Sequence, residues 1–220
     1  MKKTMIAWVS VVVIFATEAA WGQGAFQNLN FEAARIIFSN NSTVDVATTN
    51  ALPGWSAFSG TSQLTAIPYN GFGAIYPVEL FGSNSLVISG NFSIEIGQGS
   101  HPGLGSISQT GLVPADARSL IFKGSWTSLV PVGVSLGGQG LSYSALSSGS
   151  NYTLYGVDIS SFSGQTASLA FSAPSGLLYL IDDIQFSTTT VPEPSSLALC
   201  LTGGIIAAHR FTRRRKQLVL

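Results

Sequence analysis

Turn-forming residues divide the middle of this 220-residue chain into short runs of β-branched and aromatic residues. Between residues 23 and 187, glycine, proline, serine or asparagine separates the runs, at a spacing of roughly 8–12 residues that is typical of β-sandwiches. No window in this region has the 3.6-residue apolar period of an amphipathic helix. The pattern predicts one all-β domain over residues 23–187, a β-sandwich of the jelly-roll type.

The alternation of apolar and polar residues is clearest in the sixth run, where Phe92, Ile94 and Ile96 share one face and Ser93 and Glu95 share the other. The polar, unpatterned residues 188–190 are predicted to form a linker. The predicted strands cover residues 34–38, 55–58, 64–67, 74–80, 85–88, 92–96, 106–109, 119–126, 132–136, 140–144, 152–157, 167–172 and 178–187.

Charge is distributed unevenly between the middle of the chain and its ends. Seven of the ten Lys and Arg residues lie in the terminal segments. Residues 23–190 carry three basic residues, Arg35, Arg118 and Lys123, against eight acidic ones, a formal net charge of −5. Because phosphate backbones require clustered Lys and Arg, nucleic-acid binding is excluded. The single cysteine, Cys200, lies outside the domain, so the core must hold the fold without a disulfide.

The N-terminal segment has the features of an export signal. Two lysines precede an apolar run, residues 5–16, which is too short to span a membrane comfortably. Small residues at the two positions that signal peptidase requires predict cleavage before Gln23. We therefore expect a signal peptide over residues 1–22, the alternative being an uncleaved N-terminal anchor.

The C-terminal segment has the features of a membrane helix followed by basic residues. Pro194 suits the first turn of a helix, and residues 195–208 carry no charge. Extended over 195–211, the helix forms a marginal membrane span. The alternative, a buried core helix, would show one apolar stripe, whereas this segment is apolar all round. Four basic residues are predicted to stop transfer and remain in the cytoplasm: Arg213, Arg214, Arg215 and Lys216.

The residues Val191, Pro192, Glu193 and Pro194, followed by this helix and the basic cluster, resemble the PEP-CTERM sorting signal over residues 191–220. In that family the signal is recognised by an exosortase, a membrane protease-transpeptidase of Gram-negative bacteria that make extracellular polysaccharide. The resemblance implies transient residence in the inner membrane, removal of the tail near the proline pair, and delivery to the cell surface or the extracellular matrix.

Several short sequence segments of the domain resemble the carbohydrate-binding-module and galactose-binding jelly-roll superfamily. They are residues 28–32, 52–55, 157–165, 169–171 and 181–186. The resemblance implies that the first and last strands lie side by side, and that a structural calcium lies there in some members.

Asp182 is the acid whose placement is least expected. Counting by twos puts it on an apolar face, where a carboxylate is costly unless it is paired or bound to a metal. One hypothesis is that Asp182 and Glu32, with backbone carbonyls, coordinate a structural Ca²⁺. No other cofactor is expected. The alternative is that Asp182 accepts hydrogen bonds from N–H groups at a strand end. The residues predicted to share its face are Leu178, Leu180, Ile184 and Phe186.

Aromatic residues near predicted turns are candidates for stacking on sugar rings. Trp55, Tyr69 and Phe72 are the predicted ligand-binding residues, and Trp126 and Tyr76 could serve in the same way. The alternative is that these rings fill the core.

Catalytic residues are scarce. His101 is the only histidine of the domain, no Gly-x-Ser-x-Gly motif is present, and zinc ligands are too few. Glu79 and Glu95 are nominal candidates for glycoside hydrolysis, but nothing in the sequence singles them out. We therefore expect no enzyme activity.

We expect an exported, non-catalytic surface or matrix protein with a structural or polysaccharide-associated role. The alternatives are a secreted glycan-binding module and a glycoside hydrolase. Exposed aromatic residues lining one surface would favour the first, and two carboxyl groups about 5–10 Å apart in a cleft would favour the second.

Overall fold

The computed structural model describes residues 24–39, 42–71, 76–82, 86–97, 103–126, 130–174 and 177–191. The predicted signal peptide, the sorting helix at 195–211 and the basic residues 213–216 lie outside these ranges, as do Pro192, Glu193 and Pro194. Among the residues in these ranges, no helix is long and apolar enough to cross a membrane.

Two six-stranded antiparallel sheets account for most of the described chain. The first sheet has the order β10-β9-β13-β7-β2-β3, the second has the order β11-β12-β8-β14-β6-β5, and β1 pairs with β4 in a small third sheet. The strands are β1 Asp45–Ala47, β2 Ser56–Ser59, β3 Ser62–Leu64, β4 Ala66–Pro68, β5 Val78–Gly82, β6 Phe92–Ile96, β7 Gly105–Leu112, β8 Ser119–Ser125, β9 Gly133–Leu136, β10 Gln139–Gly140, β11 Ser144–Ser148, β12 Thr153–Asp158, β13 Thr166–Ser172 and β14 Tyr179–Ser187. The helices are α1 Thr48–Ala51 and the 3₁₀ helix Ser160–Phe162.

The two sheets pack against each other through a continuous apolar core. Alternate residues of β7 and β13 point inward from the first sheet, and alternate residues of β8 and β6 point inward from the second. At the centre, the rings of Phe122 and Phe171 meet edge to face across the two sheets, with centroids 5.2 Å apart. The all-β fold class is confirmed, and the arrangement is a β-sandwich.

Four predicted strands are wrong in the described residues. Residues 64–67 are not one strand, because Leu64 ends β3 of the first sheet and Ala66 begins β4 of the small sheet. Residues 34–38 contain only an isolated bridge from Phe38 to Val46, and Ile37 and Phe38 are 59% and 47% exposed. Residues 86–88 form no strand. Residues 140–144 are not one strand but the connection from β10 of the first sheet to β11 of the second, which carries Tyr143 against the core.

A β-bulge in β14 changes which residues share a face with Asp182. The register against β8 shifts between Asp182 and Gln185, and Asp183 adopts a left-handed conformation with φ of 48°. Because the extra residue inverts the alternation, Ile184 is buried in the core together with Ile181. The predicted face that joined Asp182 to Ile184 is therefore wrong, since counting by twos fails across a bulge.

The outer face of the second sheet is covered next to β14. Residues 86–91, here called the strap, connect β5 to β6 and lie against this face, where Ser93 and Asp182 are fully buried. Ser93 and Glu95, which alternate with the core residues of β6, are therefore buried as well. The N-terminal segment also runs beside β14, because the N–H of Ile184 donates to the carbonyl of Leu29.

The last described residues, up to Val191, contact the second sheet. The hydroxyl of Ser119 donates to the carbonyl of Thr189 at 2.7 Å, and Val191 is 8% exposed. Gly156 leaves the space that Val191 fills, since a Cβ at residue 156 would lie 2.9 Å from a Val191 methyl group. Residues 188–190 are themselves exposed, and their role as a linker stays a prediction.

The four free edges of the two sheets are short, irregular or covered. Strands β3 and β10 have three and two residues, and β11 pairs with β12 through a register shift between Ala145 and Ser147. Along β5, the side-chain amide of Asn70 exchanges two hydrogen bonds with the backbone of Gly82, at 2.9 and 2.8 Å. An amide side chain thus occupies the backbone groups that another strand would bind.

Gly105 is predicted to be essential to the fold, because the backbone of Pro77 passes directly over it. A Cβ built at residue 105 would lie 1.6 Å from the carbonyl oxygen of Pro77, whereas one built at Gly140 meets nothing within 4 Å. We expect Gly105→Ala to lower the free energy of unfolding by about 2–4 kcal/mol. Urea unfolding followed by circular dichroism measures the change.

Gly140→Ala is the matched control, and we expect it to change the free energy of unfolding by less than about 1 kcal/mol. Equal effects of the two substitutions would show that the close approach at Pro77 is not the constraint.

Candidate functional site

Glu32 holds the strap from the side of the N-terminal segment. Its Oε1 accepts hydrogen bonds from the backbone N–H groups of Asn91 and Phe92, at 2.7 and 3.0 Å. Its Oε2 accepts from the side-chain amide of Asn91 at 2.8 Å. One carboxylate thus fixes the junction between the strap and β6.

Asp182 holds the strap from below and is fully buried. Its Oδ2 accepts from the hydroxyl of Ser93 at 2.6 Å and from the N–H of Ser89 at 3.1 Å, and its Oδ1 accepts from the N–H of Asp183 at 2.6 Å. Burial raises the pKa of Asp182 to about 6, while the three hydrogen bonds act in the opposite direction. This arrangement is the one described by the alternative expectation, in which Asp182 accepts from N–H groups.

The predicted calcium ligands therefore contact different parts of the strap. The carboxylates of Glu32 and Asp182 both accept hydrogen bonds from N–H or O–H donors. Within the described ranges, no group of three or more His, Cys, Asp or Glu residues is placed to hold a metal ion. A structural calcium at Glu32 and Asp182 stays a prediction.

Lys123 joins the strap to the sheet. Its Nζ lies 2.9 Å from Asp183 Oδ2, donates to the hydroxyl of Ser89 at 3.0 Å, and sits 4.9 Å from the ring centroid of Tyr152. The hydrogen bond to Asp183 is the main reason that the pKa of Lys123 is raised. The charge of Lys123 is thus paired with that of Asp183, and its ammonium group packs against the ring of Tyr152.

A polar recess of about 280 Å³ lies between the end of β8 and the turn from β11 to β12. On its inner side the rings of Trp126 and Tyr155 are stacked, with centroids 4.7 Å apart and an interplanar angle of 11°. The indole can occupy this position because residue 124 is glycine, since a Cβ there would lie 2.2 Å from the Trp126 ring. The recess is lined by Gly124, Ser125, Trp126, Ser148, Gly149, Ser150, Asn151, Tyr152, Thr153 and Tyr155.

The outer rim of the recess is exposed and carries hydroxyl and amide groups. Residues 148–151 are all exposed, and the amide nitrogen of Asn151 donates to the carbonyl of Val87 in the strap at 3.3 Å. The ring of Tyr152 packs on Gly149, which leaves room for it. None of the described residues that line the recess is charged. The recess therefore combines an aromatic wall with neutral hydrogen-bonding groups.

The aromatic residues selected from the sequence lie in different places. Trp55 is 5% exposed and packs in the core, where its indole N–H donates to the carbonyl of Asn28 at 3.1 Å. The prediction that its ring binds a ligand is therefore wrong. Tyr69 is half-buried against Phe92, with ring centroids 6.3 Å apart, and its binding role stays a prediction. Phe72 lies outside the described residues.

Trp126, one of the two further aromatic candidates, lines the recess. The other, Tyr76, lies close to Gly71 and does not line the recess. Tyr152, Tyr155 and Asn151 were not selected from the sequence. The register of β12 against β8 brings them to Trp126, since Thr153 is the partner of Gly124. A turn of Gly, Ser and Asn before a strand was the only sequence signal for this part of the site.

Glu79 and Glu95 are direct partners across the β5–β6 pair. They are 0% and 3% exposed, and burial together with the charge of Glu79 raises the pKa of Glu95 to about 7. Opposite residues on antiparallel strands have Cβ atoms about 4.5–5.5 Å apart, so the two acids are neighbours on the sheet. This pair is buried rather than placed in a cleft, so a polysaccharide does not reach it. His101 lies outside the described residues.

Comparisons with known proteins assign no function to this chain. No family model matches the chain, and no curated protein matches it. A solved structure that matches is that of TmCBM61 in complex with beta-1,4-galactotriose, with a TM-score of 0.36 and 13% sequence identity over 76% of this chain and 99% of that chain. Neither the identity nor the structural overlap is high enough to transfer a site or a ligand.

Replacement of Asp182 by alanine is predicted to destabilise the fold. The substitution removes the acceptor of the Ser89 N–H and of the Ser93 hydroxyl beneath the strap. Each buried donor left without a partner costs about 1–3 kcal/mol. We expect Asp182→Ala to lower the free energy of unfolding by about 2–4 kcal/mol, measured by urea unfolding at pH 7.5.

Asp116→Ala, at an exposed aspartate in the turn between β7 and β8, is the matched control and should change the free energy of unfolding by less than about 0.5 kcal/mol. The same measurements with Ca²⁺ and with EDTA address the predicted calcium. A calcium-dependent increase in stability that Asp182→Ala abolishes would favour a metal over the N–H donors.

Proposed function

We propose that this chain is an exported, non-catalytic β-sandwich protein that associates with a neutral polysaccharide through the recess beside Trp126. The observation that carries the proposal is the stacked pair of Trp126 and Tyr155 next to an exposed rim of hydroxyl and amide groups.

The recess has the two kinds of surface that a sugar requires. A pyranose ring has C–H faces that pack on aromatic rings and hydroxyl edges that exchange hydrogen bonds with amides and hydroxyls. Trp126 supplies the aromatic ring and is supported from behind by Tyr155, which is itself stacked between Trp126 and Phe122. Asn151, Ser150 and Ser148 supply the polar rim. At about 280 Å³ the recess lies just below the usual range of about 300–1,000 Å³ for small-molecule sites, which favours one sugar ring of a longer polymer.

Charge favours a neutral polymer over an anionic one. The domain carries a formal net charge of −5, and the described lining of the recess has no basic residue. Lys123 lies behind Tyr152, but its Nζ is paired with Asp183 at 2.9 Å. An anionic polysaccharide would meet repulsion without a compensating cation, whereas binding of a neutral polymer should depend little on ionic strength.

Delivery of the protein to polysaccharide outside the cell rests on the two ends of the chain. The signal peptide and the PEP-CTERM-like tail would place residues 23–190 beyond the inner membrane, with the tail removed near Pro192, Glu193 and Pro194. Signal peptidase and an exosortase are the partners proposed for these steps. The mature protein would then have a structural role at the cell surface or in the extracellular matrix.

Trp126→Ala is predicted to weaken polysaccharide binding by at least about tenfold, because it removes the ring on which a sugar would pack. Affinity electrophoresis against soluble β-1,4-galactan, β-glucan and xylan measures the change. Asn151→Ala removes a rim group from an exposed position and should also weaken binding, with little effect on folding. Retention of wild-type affinity by both variants would exclude the recess as the site.

Two variants serve as controls for this experiment. Trp126→Phe keeps a ring and should retain part of the affinity, while Tyr69→Ala removes a half-buried ring outside the recess and should retain all of it. Trp55 and Trp126 are the only tryptophans between residues 23 and 190. Addition of the polysaccharide should therefore change the tryptophan fluorescence of the wild type but not that of Trp126→Phe.

Export and processing predict a defined mature protein. Intact-mass analysis of the protein from fractionated cells should find an N-terminus at Gln23 and a C-terminus near residues 192–194. The protein should be outside the cytoplasm. A full-length, untrimmed chain in the cytosolic fraction would contradict the proposed delivery.

A further inference from the structure

The last described residue, Val191, is inserted into a slot on the outer face of the second sheet. Its side chain is 8% exposed, although the three residues before it are all exposed. The slot lies over Gly156, where a Cβ would be 2.9 Å from a Val191 methyl group, 2.8 Å from Leu146 and 3.3 Å from Ile121. One buried apolar side chain at the end of an exposed segment indicates a point of attachment.

The pairing of three strands forms this slot. Tyr155 of β12 points inward, where it stacks on Phe122, so the next residue, Gly156, faces outward. Ile121 of β8 is the partner of Gly156 on one side, and Leu146 of β11 reaches it from the other side. Two apolar side chains thus flank a residue that has no side chain, and a valine fills the gap between them.

Hydrogen bonds hold the segment that leads from β14 to the slot. The hydroxyl of Ser119 donates to the carbonyl of Thr189 at 2.7 Å, and the N–H of Thr189 donates to the hydroxyl of Ser187 at 3.1 Å. Residues 188–190 are therefore exposed along their length but held at both ends, by the start of β8 on one side and by the docked Val191 on the other.

The N-terminal end of the domain is fixed in a similar way. The carbonyl of Gly24 accepts a hydrogen bond from the N–H of Leu112 at 3.2 Å, and Phe26 packs on Gly111, where a Cβ would lie 2.9 Å from its ring. Cleavage of the signal peptide is predicted before Gln23, one residue away. At both ends, the described contacts with the sheets thus reach to within a few residues of a predicted processing site.

We propose that the slot is a docking site for Val191 that sets the C-terminal limit of proteolytic trimming. A protease binds an extended segment on both sides of the bond that it cuts, so the bonds beside a docked Val191 are cut only when the segment is released. Removal of the tail then ends beyond Val191, and the trimmed end of the chain stays docked on the second sheet. Removal of the tail by an exosortase rests on the proposed function, whereas the docking does not.

Two substitutions release Val191 by different routes. Val191→Ala removes the methyl groups that fill the gap, and Gly156→Ala places a Cβ in the gap itself. When opening and closing are faster than cleavage, the rate of cleavage follows the population of the released segment. Both substitutions should therefore move the limit of trimming inward, into residues 188–191.

Limited digestion of the full chain by proteinase K in mild detergent, followed by intact-mass analysis, tests the docking directly. The wild type should give a resistant fragment that ends at or beyond residue 191. Val191→Ala and Gly156→Ala should lose residues 188–191 at least about tenfold faster. The circular dichroism of Val191→Ala should match that of the wild type, because this residue follows the last strand. Val130→Ala is the matched control, since it makes the same change at a side chain that is 49% exposed, and it should keep the wild-type rate.

A resistant wild-type fragment that ends before residue 191 would overturn the docking site, and so would equal rates of loss in the wild type, Val191→Ala and Gly156→Ala. In cells, the trimmed protein should retain Val191, and a trimmed protein without it would overturn the limit on processing. An untrimmed chain in the cytosol would instead contradict the proposed delivery, and it would leave the proteinase K result unaffected.

Discussion

The contact of Phe122 with its neighbours across the core is the interaction on which the rest of the structure depends. Its ring meets Phe171 of the opposite sheet edge to face at 5.2 Å and stacks on Tyr155 of its own sheet at 5.5 Å. Tyr155 in turn stacks on Trp126. The aromatic groups that hold the sheets together thus continue without interruption into the wall of the recess, so the recess is built directly on the core.

Much of the fold was predictable from local patterns, because turn residues and alternation are local properties. The strand Phe92–Ile96 has the predicted bounds, and the strands near 106–112, 119–125, 153–158 and 166–172 were found within a few residues. Residues 34–38 and 140–144 also contain β-branched or aromatic residues but form no single strand, since strand formation also requires a partner at the correct distance. The bulge at Asp183 interrupts the alternation of residues between the two faces of β14, so the alternation in the sequence does not predict it.

The candidate site was less predictable than the fold. The sequence correctly identified Asp182 as an acid whose burial is costly. Its hydrogen-bond partners, Ser89 and Ser93, are about ninety positions away in the sequence. Trp126 was one of five aromatic candidates, and its neighbours in the recess are defined by the register of β12 on β8. The opposition of Glu79 and Glu95 likewise depends on the pairing of two strands. Non-local pairing is the information that a single sequence does not display.

The edges of the two sheets determine how this protein behaves when many copies are crowded together. A long, flat, unpaired edge would recruit the edge of a second molecule and begin a fibril. Here β3 and β10 are too short, β11 is distorted by its bulge, and the backbone groups of Gly82 at the end of β5 are occupied by Asn70. Each copy is therefore a closed unit, and a dense layer of them would remain a collection of separate particles rather than growing into amyloid.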